Sequence, residues 1–350
     1  MIVFRADAGP KIGAGHVMRC LSIADGFTCN KENIIFISAD RNAEALIKSR
    51  GYKNIILESD ALHPENEIGI FKSIGAYSEA ELIIFDGYYF SKEYIGGFSR
   101  EKTTVYMDDL VAEAMPANVI INYNLFADKL EYEKLYENCP SGPILILGTD
   151  YVPLRKEFSS LNPITINDKV RNVLVLTGGA DPCHIAINLL EYLSDHKKGE
   201  AAEKLSYHFV VGTLSQDYEK IVSLSEKQGI DLHIYRNVKD IWNLMLKCDI
   251  AISAAGSTLY ELCACGVPTI TYTTADNQIK AEQFFSKKKI MLSAGDVRLE
   301  RDFYKEMVSL IDYLSENKEA RISLQKNACT LVDGKGAIRI AKIMKELVHS

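Results

Sequence analysis

Short apolar runs alternate with segments of helical periodicity along the whole chain, the pattern of parallel βαβ units. In the amino-terminal half the runs are MIVFRAD, NIIFIS, NIILE, ELIIFDGYY, TVYMDD, NVIINYN and PILILG. They restart at RNVLVLTGGAD and continue with YHFVVGT, DLHIYRN, DIAISAAG, PTITYTTAD and IMLSAGD. Several are apolar on both faces, as a strand covered by helices on each side must be. Between the two series lies RKEFSSLNPITINDKV, polar and containing a proline, which reads as a linker with a boundary near Ser160. The expected architecture is α/β: two doubly wound, Rossmann-like parallel-sheet domains, residues 1–160 and 161–350. A cleft between the carboxyl ends of their strands is where such folds bind ligands. The final stretch GKGAIRIAKIMKELVHS keeps apolar residues at helical spacing and is able to pack back across the linker.

This frame gives three strand-end segments a chemical meaning. After MIVFRAD, the loop AGPKIGAG leads into a helix with Val17, Met18, Leu21 and Ala24 on one face, so His16 falls in its first turn. The positive end of the helix dipole disfavours imidazolium there, which predicts a neutral ring able to accept a proton. Gly13 and Gly15 allow a ligand close to the backbone. The plain alternative is that His16 caps the helix or packs in the core. In ISAAGSTLYELCACGVP, a strand ends at Ala254, a glycine turn follows at Gly256, and Ser257 and Thr258 stand where a helix begins. Free amides at such a terminus bind phosphate, the two hydroxyls reinforce them, and Glu261 one turn inside is placed for ribose hydroxyls. An ordinary capped helix with a solvated Glu is the competing reading.

LTGGADP, with Gly179, is a further strand-end glycine turn, weak when taken alone. Neither glycine loop gives the G-x-G-x-x-G dinucleotide pattern with its distal acid, so NAD is not expected. Asp86, Tyr88 and the ADNQ segment with Asn277 and Gln278 also fall at strand ends, where each polar group is able to contact a sugar. Adjacent Asp108 and Asp109 would point to opposite faces of a strand, so at least one of them is expected to be structural.

Composition narrows the field. At 350 residues the chain exceeds a usual domain of about 100 to 200 residues, and 47% hydrophobic with 25% charged residues is ordinary globular usage. A net charge of −7 with no basic run argues against nucleic acid as a partner. The apolar runs fall far short of the roughly 20 residues a membrane span needs, and MIVFRADAG has too short an apolar core for a signal peptide, so a cytoplasmic protein is expected. Cys20, Cys29, Cys139, Cys183, Cys248, Cys263, Cys265 and Cys329 form no C-x-x-C pair. They read as reduced thiols, without a zinc site. His63, His184, His196, His208, His233 and His349 have no partner at ligand spacing, and surface or core roles are expected for them.

FRADAGPKIGAGHVMRCLSIA, LGTDYVPLRKEF, VLVLTGGADP, ISAAGSTLYELCACGVPTI, ADNQ and LVDGKGA together resemble the family of UDP-2,4-diacetamido-2,4,6-trideoxy-β-L-altropyranose hydrolases of pseudaminic acid biosynthesis. That family has a GT-B fold, related to the peptidoglycan N-acetylglucosaminyltransferase. The resemblance runs nearly end to end. It implies that His16 is the general base, that Gly256, Ser257, Thr258 and Glu261 hold the nucleotide, and that Asn277 and Gln278 are cleft contacts. Arg19, inside the first of these segments, goes with the substrate contacts. Gly87 stands where the family pattern has His, Glu113 where an Arg tends to follow DDL, Tyr260 for a common Trp and Ala255 for a common Gly. The first two lie in the domain expected to hold the sugar.

The implied reaction is hydrolysis of a UDP-linked diacetamido trideoxy sugar, with inversion at the anomeric carbon. No metal or cofactor is demanded, since a helix terminus supplies the positive potential. A GT-B glycosyltransferase with a UDP-sugar donor and a non-catalytic nucleotide-sugar binding protein are the alternatives. A UDP-sugar epimerase ranks behind them, and the oligomeric state stays open.

Overall fold

The computed structural model describes residues 1–27, 30–129, 131–139, 142–196, 205–225 and 230–349; Cys29 lies outside them. The chain divides into two compact units, Met1–Ser159 with Gly334–Ser350, and Ser160–Asp333.

The first unit is built on strands β1 (Ile2–Ala6), β2 (Ile34–Ser38), β3 (Lys53–Ile56), β4 (Leu82–Asp86), β5 (Thr103–Met107), β6 (Val119–Asn122) and β7 (Ile144–Leu147). They form a seven-stranded sheet in the order β3-β2-β1-β4-β5-β6-β7, every pair parallel. Strands β2, β4 and β6 are buried at every position, which is why IIFIS, LIIFD and VIIN read as unbroken runs. Phe4 of β1 stacks on Phe36 of β2 at 4.9 Å, and burying one such ring stabilises by about 1.5–3 kcal/mol.

The carboxyl-terminal helix Gly336–His349 belongs to this unit and packs on the helix Gly15–Gly26. Glycine fixes how close the two come: a Cβ on Gly26 would lie 2.7 Å from the Ala337 carbonyl oxygen. The DGKG turn makes a similar approach, since a Cβ on Gly336 would lie 2.2 Å from the Val152 carbonyl oxygen. The expected second domain of 161–350 therefore differs from the second unit in its terminal segment.

The second unit holds β8 (Asn172–Leu176), β9 (Ser206–Val211), β10 (Asp231–Arg236), β11 (Ile250–Ala254), β12 (Thr269–Thr273) and β13 (Leu292–Asp296). Its six-stranded parallel sheet runs β10-β9-β8-β11-β12-β13. Buried Val173, Val175, Phe209, Ile252 and Ile270 meet Leu189, Leu193, Met307 and Ile311 from the helices Ile185–His196 and Phe303–Glu316.

Each sheet winds outward from its first strand, then back to that strand's other side. The reversal falls between β1 and β4 in the first unit and between β8 and β11 in the second. Loops leaving the carboxyl ends of those pairs diverge, and the crevice so formed is where doubly wound sheets bind ligands. Among the described residues no helix is long and apolar enough to cross a membrane.

Candidate functional site

In the first unit the crevice at the β1/β4 reversal is occupied by His16. It is the second residue of the helix Gly15–Gly26, whose N-cap, Ala14, makes no side-chain cap. Gly13 turns the loop at φ 78°, and a Cβ on Gly13 or Gly15 would meet nothing within 4 Å, so both glycines border open space. The His16 ring is largely buried, at 8% exposure, and its Nδ1 lies 2.7 Å from Asp86 Oδ1 at the end of β4.

Asp86 is fully buried and is gripped from the other side by Arg19, with Nε on Oδ2 and Nη2 on Oδ1, both at 2.5 Å. Burial alone would raise this carboxyl, but the Arg19 guanidinium outweighs it and, with His16, holds Asp86 below the usual carboxylate range. An ionised carboxylate only accepts, so Nδ1 carries the proton that points at Asp86. When the ring is neutral its lone pair is therefore at Nε2. Arg19 Nη2, 3.1 Å from Nδ1, is then a close donor–donor contact rather than a hydrogen bond.

The helix dipole was the only electrostatic influence legible in the sequence. The structure adds a carboxylate and a guanidinium of opposite sign beside the same ring nitrogen. Beside the expected substrate contacts of these two residues it shows internal bonds: Asp86 has both oxygens engaged, and Arg19 sends Nη1 to Asp109 at 2.6 Å and to the Tyr123 hydroxyl at 2.8 Å. These two residues stand behind His16 and orient it.

Tyr88 is half exposed, its ring edge-on to His16 at 4.8 Å, and its hydroxyl donates to Asp109 at 2.9 Å. The adjacent acids do separate. Asp108 is buried, accepts the amides of Leu110 and Val111 and the Tyr132 hydroxyl, and shapes the turn. Its carboxyl is raised because burial outweighs those bonds. Asp109 faces the site and also receives Asn124. Burial pushes the Tyr123 phenol up to about 12, so it stays protonated beside Arg19.

Tyr123 and Asn124 escaped the sequence reading. They are the first residues beyond β6, and knowing that β6 lies two strands from β4 is what would have marked them.

In the second unit, adjacent β8 and β11 deliver Gly179 and Gly256 to one edge of the sheet, and β12 delivers Asn277 and Gln278. Gly179 and Gly256 border open space. Ser257 is the N-cap of the helix Thr258–Cys265 yet spends no side chain on capping, so its exposed hydroxyl remains available. Glu261 lies in that helix's first turn and is partly buried. Gln278 Oε1 accepts from the Thr274 amide and hydroxyl, at 2.9 and 3.2 Å. Gln278 thus braces its own loop with the oxygen and has only its amide nitrogen to offer, whereas Asn277 is exposed.

Residues 173–342, which include all of these second-unit positions, match the Glycosyltransferase family 28 C-terminal domain. Among solved structures, MurG of Acinetobacter baumannii superposes with a TM-score of 0.69 at 13% identity, covering 99% of each chain. The fold is of the GT-B type. This GT-B chain is 24% identical to the spore coat polysaccharide biosynthesis protein SpsG of Bacillus subtilis, over 98% of its own length and 97% of that protein's. It is also 25% identical, over 83% of its length, to the Helicobacter pylori pseudaminic acid cytidylyltransferase and UDP-2,4-diacetamido-2,4,6-trideoxy-beta-L-altropyranose hydrolase, of which it spans 48%, about half. The placement these likenesses give the chain is a coarse one, glycosyltransferase-like within the GT-B fold.

Proposed function

We propose that this GT-B chain is a nucleotide-sugar hydrolase that acts on UDP-2,4-diacetamido-2,4,6-trideoxy-β-L-altropyranose and releases UDP and the free sugar, a step in making pseudaminic acid for glycosylation of proteins such as flagellin. The observation that carries the reading is the His16–Asp86 pair: a ring oriented through Nδ1, with Nε2 left to take a proton at a crevice rimmed by open glycines. Nε2 removes a proton from water as the water oxygen attacks the anomeric carbon. The bond from that carbon to the β-phosphate oxygen breaks, its electron pair leaves with UDP, and the configuration inverts. A base so placed contributes about 100- to 10,000-fold.

Inverting hydrolysis of an ordinary glycoside also needs an acid. Here the leaving group is a phosphate ester, already a weak base, so no side chain has to protonate it. In the second unit the amides opening the helix Thr258–Cys265, with the Ser257 and Thr258 hydroxyls, stabilise the departing charge; one such donor is worth about 3 to 4 kcal/mol of barrier. Glu261 accepts from the ribose hydroxyls. The family 28 match over this segment and the printed name of the Helicobacter relative support a UDP-sugar substrate.

The same family match also favours a second reading, a glycosyltransferase in which an acceptor hydroxyl replaces water. Incubating the UDP-sugar without acceptor in H2(18)O separates the two. Steady UDP release with the heavy oxygen in the free sugar supports the hydrolase. Release only after an acceptor is added, or heavy oxygen in the UDP, overturns it.

A further inference from the structure

Gly87 sits between the site residues Asp86 and Tyr88, and its own backbone gives no reason for a glycine, since its φ lies outside the left-handed region. The reason lies two residues on. A Cβ on residue 87 would lie 2.4 Å from Tyr89 Cζ and 2.7 Å from both Cε1 and the hydroxyl oxygen. The Tyr89 ring has folded back into the volume that a side chain at 87 would fill.

The ring is anchored there. The Asp7 backbone N–H donates to the Tyr89 hydroxyl at 3.0 Å, and Asp7 itself cannot shift. Its Oδ2 takes Arg5 Nη1 at 2.5 Å, its Oδ1 takes the Ala39 amide at 2.7 Å, and Arg5 Nε is held by Glu67 at 2.8 Å, all fully buried. This ionic cluster has no part in the chemistry at Nε2, yet it fixes the far end of Tyr89. Tyr89 is partly exposed, and its ring centre lies 6.5 Å from that of His16 at an interplanar angle of 80°, while that of Tyr88 lies 4.8 Å away at 84°. Two upright phenol rings thus frame the imidazole with apolar surface.

We propose that Tyr89 is a specificity-determining wall of the His16 site, that residue 87 is glycine so that this ring can stand there, and that the wall selects sugars presenting C–H and methyl surface. The inference rests on the hydrolase reading and names the side chain that would meet the apolar face of the sugar proposed there. Apolar contact of this size discriminates by about 10- to 200-fold. Since the clashing atoms are the outer end of a flexible side chain, Gly87→Ala is expected to fold normally while expelling the ring.

A double-mutant cycle tests this. Gly87→Ala and Tyr89→Ala should each raise KM for the UDP-sugar about tenfold or more with a smaller change in kcat. Adding Gly87→Ala to Tyr89→Ala should cost less than about twofold further, and Tyr89→Phe, which keeps the ring, should stay within a few-fold of wild type. The NMR signal of the His16 Cε1 proton reads the ring without turnover: it should move to a common position in Gly87→Ala and Tyr89→Ala and hold in Tyr89→Phe. Wild-type kinetics for Gly87→Ala, an undiminished cost of Gly87→Ala in the Tyr89→Ala background, or an unmoved His16 signal would overturn the proposal. A wild-type protein that releases no UDP sinks the hydrolase reading instead, and the NMR arm still decides whether Gly87 seats the ring.

Discussion

Asp86 lies seventy positions beyond His16 in the chain and 2.7 Å from its Nδ1. Neighbouring parallel strands make the meeting: β1 leads into the loop and helix that carry His16, and β4 ends on Asp86. A buried carboxylate opposite one ring nitrogen fixes which nitrogen faces outward, and that is what a general base needs from its surroundings.

Replacing the carboxylate by an amide therefore removes orientation without removing the base. Asp86→Asn is expected to lower kcat for UDP release by about 100-fold or more while leaving UDP affinity within a few-fold of wild type. Steady-state kinetics beside calorimetric titration with UDP would check it, and an unchanged kcat would strip Asp86 of its positioning role.

The nucleotide end is tested separately. Ser257 spends no hydroxyl on capping its helix, so Ser257→Ala removes the proposed phosphate contact without loosening the fold. UDP binding should weaken by about two- to tenfold, with the melting temperature unchanged; equal affinity would place the diphosphate elsewhere.

Much of this was legible in the chain. All thirteen strands among the described residues fall on the apolar runs of the sequence, most plainly β2, β4 and β6, which are buried throughout because parallel strands covered on both faces leave no polar interruption. Strand ends in turn marked His16, Asp86, Ser257 and Asp109. What stayed hidden was strand order. Arg19 ties together residues from the ends of β4, β5 and β6, and no periodicity along one segment shows which loops become neighbours. For that reason the bonds among Arg19, Asp86, Asp109 and Tyr123 were not foreseen, and Tyr89 escaped notice altogether.

A pH effect is expected in the second unit. His208 on β9 stacks on His233 of β10 at 4.9 Å, with Nε2 3.0 Å from Asn172 Oδ1 and Nδ1 3.1 Å from the Tyr235 hydroxyl. Burial, and then the neighbouring His233, lower its proton affinity from the ordinary 6.5, against a smaller opposing pull from Asp231. The unfolded chain thus binds the proton first as pH falls. Stability is full above about pH 6.5 and declines below it, toward the lower folded value. Urea midpoints at about pH 7.5 and about pH 5.5 should differ in the wild type and converge in His208→Gln.

Close helix approach gives a stability prediction remote from chemistry. Gly26→Ala puts a methyl 2.7 Å from the Ala337 carbonyl oxygen and should destabilise the first unit by about 1–3 kcal/mol. Denaturant unfolding would measure it, and a neutral result would mean that the carboxyl-terminal helix is free to move aside.

The most direct test of the whole account is His16→Ala, assayed with the UDP-sugar alone and by UDP titration. Turnover is predicted to fall by about 100-fold or more with UDP affinity unchanged. A variant that releases UDP at the wild-type rate would contradict the account.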